Sequence, residues 1–418
     1  MTREHRGALR GMARAALLSA ALAAPGAAQA DPISILFIGN SYTFGRVDPA
    51  MSYNAANVRD MTAPTQPGFG NTTGSNLYEP HPWGGVPGIF KALTTQAGLD
   101  YDVALSTRNA ASLRGHYLNT NPVGWNLRSN IATQRWDKLV LQELSDGPLP
   151  VGTTGNARPG SFTMYATQLA EYARSQSTDR SFTETQLFGS TQACRDATGN
   201  SANTCNNTVR SVTGNPNTNP DTEVFLYQTW ARPNLIEGGV VTSTDDTTGE
   251  VTRTTTPITG PYPAADGLER MTEDLRASYA AVLAARPDLF ADIAPVGEAF
   301  LAAVLKGIAT RNMYAPDALT DGLIDLWFDD GTHASAWGSY LSALTLFGTI
   351  TGLDPRIFGR DEQAALDLGI SAREAVLLQR IAAETLGLPV PAPGAAPVML
   401  VGLLALGALR RRKDRQPA

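Results

Sequence analysis

Strand-like and helix-like stretches take turns along most of this 418-residue chain, and that alternation restricts the architectures open to it. The first apolar run, Ile35-Leu36-Phe37-Ile38, has the length of a strand and stops at Gly39. Val86 to Ala97 then carries a helical pattern closed by Gly98, and Tyr101 to Ser106 reads as the next strand. Lys138 to Leu141 is a third strand, followed by a helix from Gly160 to Arg174, and Val224 to Gln228 is a further strand candidate. Helices recur at Met271 to Ala285, where Met271, Leu275, Tyr279, Val282 and Leu283 share a face, and from Glu298 onward. Strands separated by helices imply a parallel sheet, and so an α/β domain. Thr185 to Thr222 and Gly238 to Pro263 are rich in Thr, Asn and Gly and are expected as surface insertions. Asp361 to Gly387 reads as a final helical pair, with Ser371 and Glu374 forming a capping box. Residues 31–387 are therefore expected to make one large domain.

Two short motifs add chemistry to this frame. Ser41 follows the first strand in Gly39-Asn40-Ser41-Tyr42-Thr43, and Asp330-Gly331-Thr332-His333 precedes a long apolar helical pattern. A serine hydroxyl attacks only when a base takes its proton, and an imidazole titrating near neutrality suits that task. His333 is the candidate base. Asp330, with Asp329 as its nearest rival, is the candidate to hold the far ring nitrogen. Placing both on one short turn lets local backbone geometry set the Asp to His contact, so the fold has only to bring in the serine. Each motif also has a plain reading: Gly-Asn-Ser as an ordinary turn, and Asp330 or Thr332 as a helix cap. The chain has four histidines and His5 lies in the leader, so few bases compete.

On these residues the sequence resembles the SGNH (GDSL-like) hydrolases. Gly39-Asn40-Ser41-Tyr42-Thr43 is similar to their first signature block, with Asn40 where many members have Asp, and Asp330-x-x-His333 is similar to their last. The resemblance implies a flavodoxin-like three-layer α/β/α domain with a parallel sheet, and ester hydrolysis through a Ser-His-Asp triad of Ser41, His333 and Asp330. It also implies an oxyanion hole built from the Ser41 N–H, a second-block N–H and a third-block amide. The second-block glycine corresponds to Ala110, whose N–H survives the exchange but which is strained if the site needs positive φ. Gln142, in Leu141-Gln142-Glu143, stands where the family's asparagine would be, and a branch with Leu-Gln-Glu at this point matches best. Asn40, His116 and Trp230 are candidates to flank the substrate cleft. For His116 and Trp230 a structural role is the alternative, and Arg232 shares the strand end with Trp230.

Other chemistries find no support. The second glycine of a Gly-x-Ser-x-Gly elbow comes two places late, at Gly45, and there is no phosphate-binding glycine loop. No His-Glu-x-x-His or Cys-x-x-Cys set is present, so neither a metal nor a cofactor is expected.

Both ends speak about location. Residues 1–30 have arginines at 3, 6, 10 and 14, an apolar stretch and Ala28-Gln29-Ala30, the form of a secretory signal peptide. A proline-rich linker, 388–394, leads to a tail at 395–418 in which a short apolar stretch meets Arg410-Arg411-Arg412-Lys413. That pattern resembles bacterial sorting tails read by a membrane protease, and a simple membrane anchor is the alternative. The net charge of −6 becomes −13 once the +3 leader and the +4 end of the tail, 410–418, are set aside, which argues against nucleic acid as a partner. Export makes a disulfide the expected state of Cys194 and Cys205, and free thiols the state if export is wrong. The expectation is an exported esterase, periplasmic, at the cell surface or secreted, acting on a small ester or acylated glycan. Acyl transfer with the same residues, or glycan binding on an inactive hydrolase scaffold, are the competing readings.

Overall fold

Four consecutive side chains of the first strand, Ile35 to Ile38, are at most 1% exposed, so this apolar run is covered on both faces. The computed structural model describes residues 31–62, 81–119, 127–244, 251–318 and 320–389. The leader, the tail and all but the first two residues of the linker lie outside the described residues. In chain order the elements begin β1 (Ile33–Gly39), α1 (Ser41–Phe44), β2 (Arg59–Asp60), α2 (Gly85–Gln96), β3 (Tyr101–Thr107), α3 (Leu113–Leu118), α4 (Leu127–Ile131), β4 (Lys138–Leu141) and α5 (Pro159–Arg174). They continue β5 (Arg180–Thr183), α6 (Glu184–Phe188), α7 (Thr191–Thr198), α8 (Ala202–Asn207), β6 (Val209–Val212), β7 (Glu223–Tyr227), β8 (Val240–Thr244) and β9 (Val251–Pro257). The last are α9 (Gly267–Ala285), β10 (Phe290–Ala294), α10 (Val296–Leu305), α11 (Ala336–Thr351), α12 (Gln363–Asp367) and α13 (Ala372–Thr385).

The main sheet has six strands in the order β10-β7-β4-β1-β3-β2, and every pairing in it is parallel. Without the two-residue edge strand β2, this is the flavodoxin-like order 2-1-3-4-5. From β1 the chain crosses to β3 on one side and then back to β4 on the other. The strand order therefore reverses at β1, which opens a crevice beyond its carboxyl end. Helices cover both faces. Ile35 and Phe37 pack among side chains of α2, α10, α11 and α13, while Leu36 and Ile38 pack among those of α3, α5 and α9. The architecture is a three-layer α/β/α sandwich.

The principal strands and helices fall within a few residues of their expected positions. Two strands of the main sheet, β2 and β10, were not foreshadowed: β2 is too short to carry an alternation, and β10 exposes Ala291 and Asp292 in succession. The Thr185 to Thr222 stretch, expected as a surface insertion, carries secondary structure of its own: α6, α7, α8 and β6. Thr183 just ahead of it, and Ser190 and Ser201 within it, each accept a backbone N–H at the start of α6, α7 and α8. A Cys194–Cys205 disulfide ties α7 to α8. Glu184 anchors the insertion from within, accepting from Arg114, Arg210 and the Tyr165 hydroxyl. Burial alone would raise the Glu184 carboxyl, but these donors outweigh it and hold it at about 2. The second stretch contains the β8–β9 hairpin. At the C-terminal side, both halves of the Ser371–Glu374 capping box are formed.

Phe37 tests whether β1 is the keystone. It is fully buried and meets Phe90 of α2 edge-on, with ring centroids 5.4 Å apart. Phe37→Ala is expected to destabilise the protein by about 3–5 kcal/mol, read from urea denaturation. A loss under about 1 kcal/mol would mean that this layer repacks freely.

Candidate active site

Ser41 opens α1 directly after β1, at the switch point of the sheet. Asn40 makes that turn. Its backbone is extended, and its Oδ1 accepts the Tyr42 N–H at 3.1 Å. The same side chain donates from Nδ2 to the Ala111 carbonyl at 2.9 Å and the Glu143 carbonyl at 3.4 Å. Asn40 is 1% exposed and holds together the loops after β1, β3 and β4. It is therefore a brace beneath the crevice, not a cleft residue as expected.

Gln142 needs a similar correction. Its Oε1 accepts the Asn40 N–H and the Thr43 hydroxyl, both at 2.9 Å, and its Nε2 donates to the Glu143 carbonyl. The reverse orientation would set an amide NH2 against the backbone N–H of Asn40, so the assignment is chemically constrained. The oxygen of Gln142, and not its N–H, faces the turn that carries Ser41. That placement also explains Gly39, because a Cβ there would lie 2.4 Å from Gln142 Oε1 and 2.3 Å from Thr43 Oγ1.

Ala110 is exposed and sits at φ 54°, the left-handed conformation that costs a non-glycine residue on the order of 1 kcal/mol. Neither its N–H nor that of Ser41 has a hydrogen-bond acceptor among the described residues. Both backbone donors are thus uncommitted.

The second half of the site is the turn before α11. Asp330 Oδ1 accepts the N–H groups of Thr332 and His333, each at 2.9 Å, while Oδ2 meets His333 Nδ1 at 2.5 Å. His333 Nε2 lies 2.8 Å from Ser41 Oγ. Burial alone would raise the Asp330 carboxyl; the His333 charge and the hydrogen bonds from His333 and Thr332 overcome this and hold it at about 2. An ionised carboxylate only accepts, so Nδ1 carries a proton, and when Nε2 carries none it accepts from the Ser41 hydroxyl. Such a ring can take that proton when Oγ attacks. Gly331 permits the turn: its φ is 65°, and a Cβ would lie 2.1 Å from Tyr314 Oη. Helix α11 is capped further on, by Ser335.

Residues with no expected catalytic role fasten this turn. Tyr42 Oη donates to the Thr332 carbonyl at 2.7 Å, and Trp230 Nε1 donates to the same oxygen at 3.0 Å. The two rings stack at 3.9 Å, and Trp230 stacks in turn on Phe300 at 4.8 Å. Burial pushes the Tyr42 phenol far up, so it stays a donor. Arg232 donates to Ser145 Oγ at 3.0 Å and to Thr332 Oγ1 at 3.3 Å, and Asn234 Nδ2 reaches Thr332 Oγ1 at 2.7 Å. Trp230 is wholly buried, and so a clamp on the histidine turn instead of a cleft wall. His116 is buried as well, its Nε2 paired with the Gly39 carbonyl at 2.8 Å. Desolvation, aided by Arg108 and opposed by that bond, lowers it to about 4, so it supports the end of β1 as a neutral ring. The one sequence hint of the clamp is that Tyr42 adjoins the serine and Trp230 ends a strand. Among the described residues no group of His, Cys, Asp and Glu is placed to hold a metal ion, and no helix is long and apolar enough to cross a membrane.

The depressed Asp330 carboxyl makes stability depend on pH. Its folded value, about 2, lies below the ordinary 3.8, so the contribution is complete above about pH 4 and is lost as pH falls toward 2. The amount is on the order of 2 kcal/mol. The stability gap between the wild type and Asp330→Asn, measured by urea unfolding, should shrink by that much from pH 5 to pH 2. A constant gap would show that the turn does not stabilise the carboxylate.

The sequence matches no family model and no curated protein. Among solved structures it is similar to a candidate SGNH hydrolase from Slackia heliotrinireducens at 17% identity and a TM-score of 0.37, covering 77% of this chain and 100% of that one. It is also similar to a DUF4886 family protein from Bacteroides uniformis at 12% identity and a TM-score of 0.39, covering 85% of this chain and 95% of the other. An inhibitor-bound aryl esterase of M. smegmatis gives 13% identity and a TM-score of 0.32, over 77% of this chain and 99% of that one.

Proposed function

We propose that this chain is an exported serine ester hydrolase of SGNH type that removes short acyl groups, such as acetyl, from hydroxyls of a carbohydrate or related extracellular molecule. One run of contacts supports it: Ser41 Oγ to His333 Nε2 at 2.8 Å, and His333 Nδ1 to Asp330 Oδ2 at 2.5 Å. In this reading Ser41 Oγ bonds to the acyl carbon as its proton passes to His333 Nε2. The imidazolium, held by ionised Asp330, then protonates the departing alcohol oxygen, leaving an acyl-serine. Water attacks that ester with His333 again as base, and the acid departs with Ser41 restored. The uncommitted N–H groups of Ser41 and Ala110 are the proposed oxyanion donors, each worth roughly 3 kcal/mol at the transition state. Gln142 takes no part in that hole. It fixes the turn that presents Ser41.

Hydrolysis of 4-nitrophenyl acetate by the purified protein tests the reading. Ser41→Ala should lower kcat at least about a thousandfold with its thermal midpoint little changed. Equal rates for the two proteins would overturn the proposal.

Export draws support from the form of residues 1–30 and from the Cys194–Cys205 disulfide, and the basic tail suits membrane attachment or processing by a sorting protease. Thiol labelling of the protein from fractionated cells checks this: the expected result is blocked cysteines in material outside the cytoplasm. Protein found wholly in the cytoplasm with both thiols reactive would refute export.

A further inference from the structure

Beyond the carboxyl ends of β3 and β4, a cavity of about 210 Å³ opens between the loops that follow them and the first turn of α5. Its walls include Ser112, Arg114, Glu143, Arg158, Ser161 and Phe162. Glu143 is 3% exposed. Its Oε1 accepts the Leu144 N–H at 2.7 Å and the Leu113 N–H at 3.2 Å, and its other oxygen has no hydrogen-bond partner among the described residues. Burial pushes this carboxyl up to about 7 against the pull of those two N–H groups, with nearby Asp146 adding to the rise. That oxygen is left as an acceptor on the cavity wall, where a ligand donor can meet it.

The remaining walls define what fits. Arg114 gives Nε and Nη2 to Glu184, which neutralises it. Arg158 donates from Nη1 to the Ala157 carbonyl at 2.6 Å, and among the described residues no ion pair joins it to Glu143. The cavity therefore offers an acceptor on one wall, a cationic donor on another, hydroxyls at Ser112 and Ser161, and the Phe162 ring. A ligand of fixed charge meets the wrong sign on one side. A neutral ring whose polar groups both donate and accept suits every wall. The room is below the roughly 300–1,000 Å³ of a drug-sized site, which leaves space for a single ring. The nucleophile turn is adjacent, because Asn40 Nδ2 is bonded to the carbonyls of Ala111 and Glu143, in the two loops that form these walls.

We propose that this cavity binds a neutral pyranose ring, with the open Glu143 oxygen engaging a ring hydroxyl; as the seat of the substrate's sugar, it rests on the esterase reading. Titration of the full-length protein with methyl β-xylopyranoside, followed by saturation-transfer NMR, addresses the cavity without any hydrolysis. The expected result is saturable binding with Kd on the order of 1 mM. Glu143→Gln keeps an acceptor for the two backbone N–H groups and alters the open atom, while Ser161→Leu pushes a branched side chain into the space. Each should weaken binding at least about tenfold, with thermal midpoints within about 4 °C of the wild type. No saturable binding by the folded wild type, or undiminished binding by both folded variants, overturns the proposal. Failure of 4-nitrophenyl acetate hydrolysis would instead strike the esterase reading and leave the sugar titration to decide the cavity.

Discussion

The Thr332 carbonyl is where two distant parts of the chain become one site. It accepts from Tyr42, the neighbour of Ser41, and from Trp230 at the end of β7. Without such a clamp, Asp330 and His333 would still pair with each other, since a three-residue turn sets their contact. What the turn cannot set by itself is its distance from a serine 292 residues away. Two buried donors on one oxygen, backed by the Tyr42–Trp230–Phe300 stack, convert that problem into packing. Hydrogen bonds of this kind are directional and cannot be made in several registers, whereas apolar contacts alone tolerate sliding.

Beneath Ser41, a second polar layer does the same for the serine itself. Asn40 and Gln142 are both buried amides, and a buried amide is tolerable only when its donors and acceptors are used. Here their partners, apart from the Thr43 hydroxyl, are backbone groups of the loops after β1, β3 and β4, so satisfying the amides fixes the loops relative to one another. Gly39 follows as a consequence, since any side chain would displace the Gln142 oxygen. The position of Ser41 is thus settled by side chains that never need to touch a substrate.

The sheet was largely legible because burial on both faces forces unbroken apolar runs, and Ile35 to Ile38 and Lys138 to Leu141 advertise themselves. Strands β2 and β10 lacked that signature because one is two residues long and the other half exposed. The Asp330 to His333 pairing was legible for a local reason: three residues and a glycine leave few arrangements. The orientation of Gln142 was not, since a glutamine at a strand end can face either way until the neighbouring donors are known. Trp230 and His116 were ambiguous from sequence for the same reason, because polarity says nothing about which end of a ring meets a partner. The short helices inside the 185–222 stretch were not legible because Ser and Thr favour loops and helix caps alike, and only neighbours such as Arg114 and Tyr165, far off in sequence, reveal which.

Ala110 is the one place where local preference and site geometry disagree. Its left-handed backbone would be relieved by glycine, at no cost to the N–H it presents. Yet glycine also frees the unfolded chain and the loop itself, so an alanine narrows the conformations open to the donor proposed here. The penalty of about 1 kcal/mol is small beside the roughly 3 kcal/mol that a well-aimed donor contributes at a transition state. Strain of this size is held in place by the neighbouring Ala111 to Asn40 bond, and the proposed oxyanion role gives it a reason.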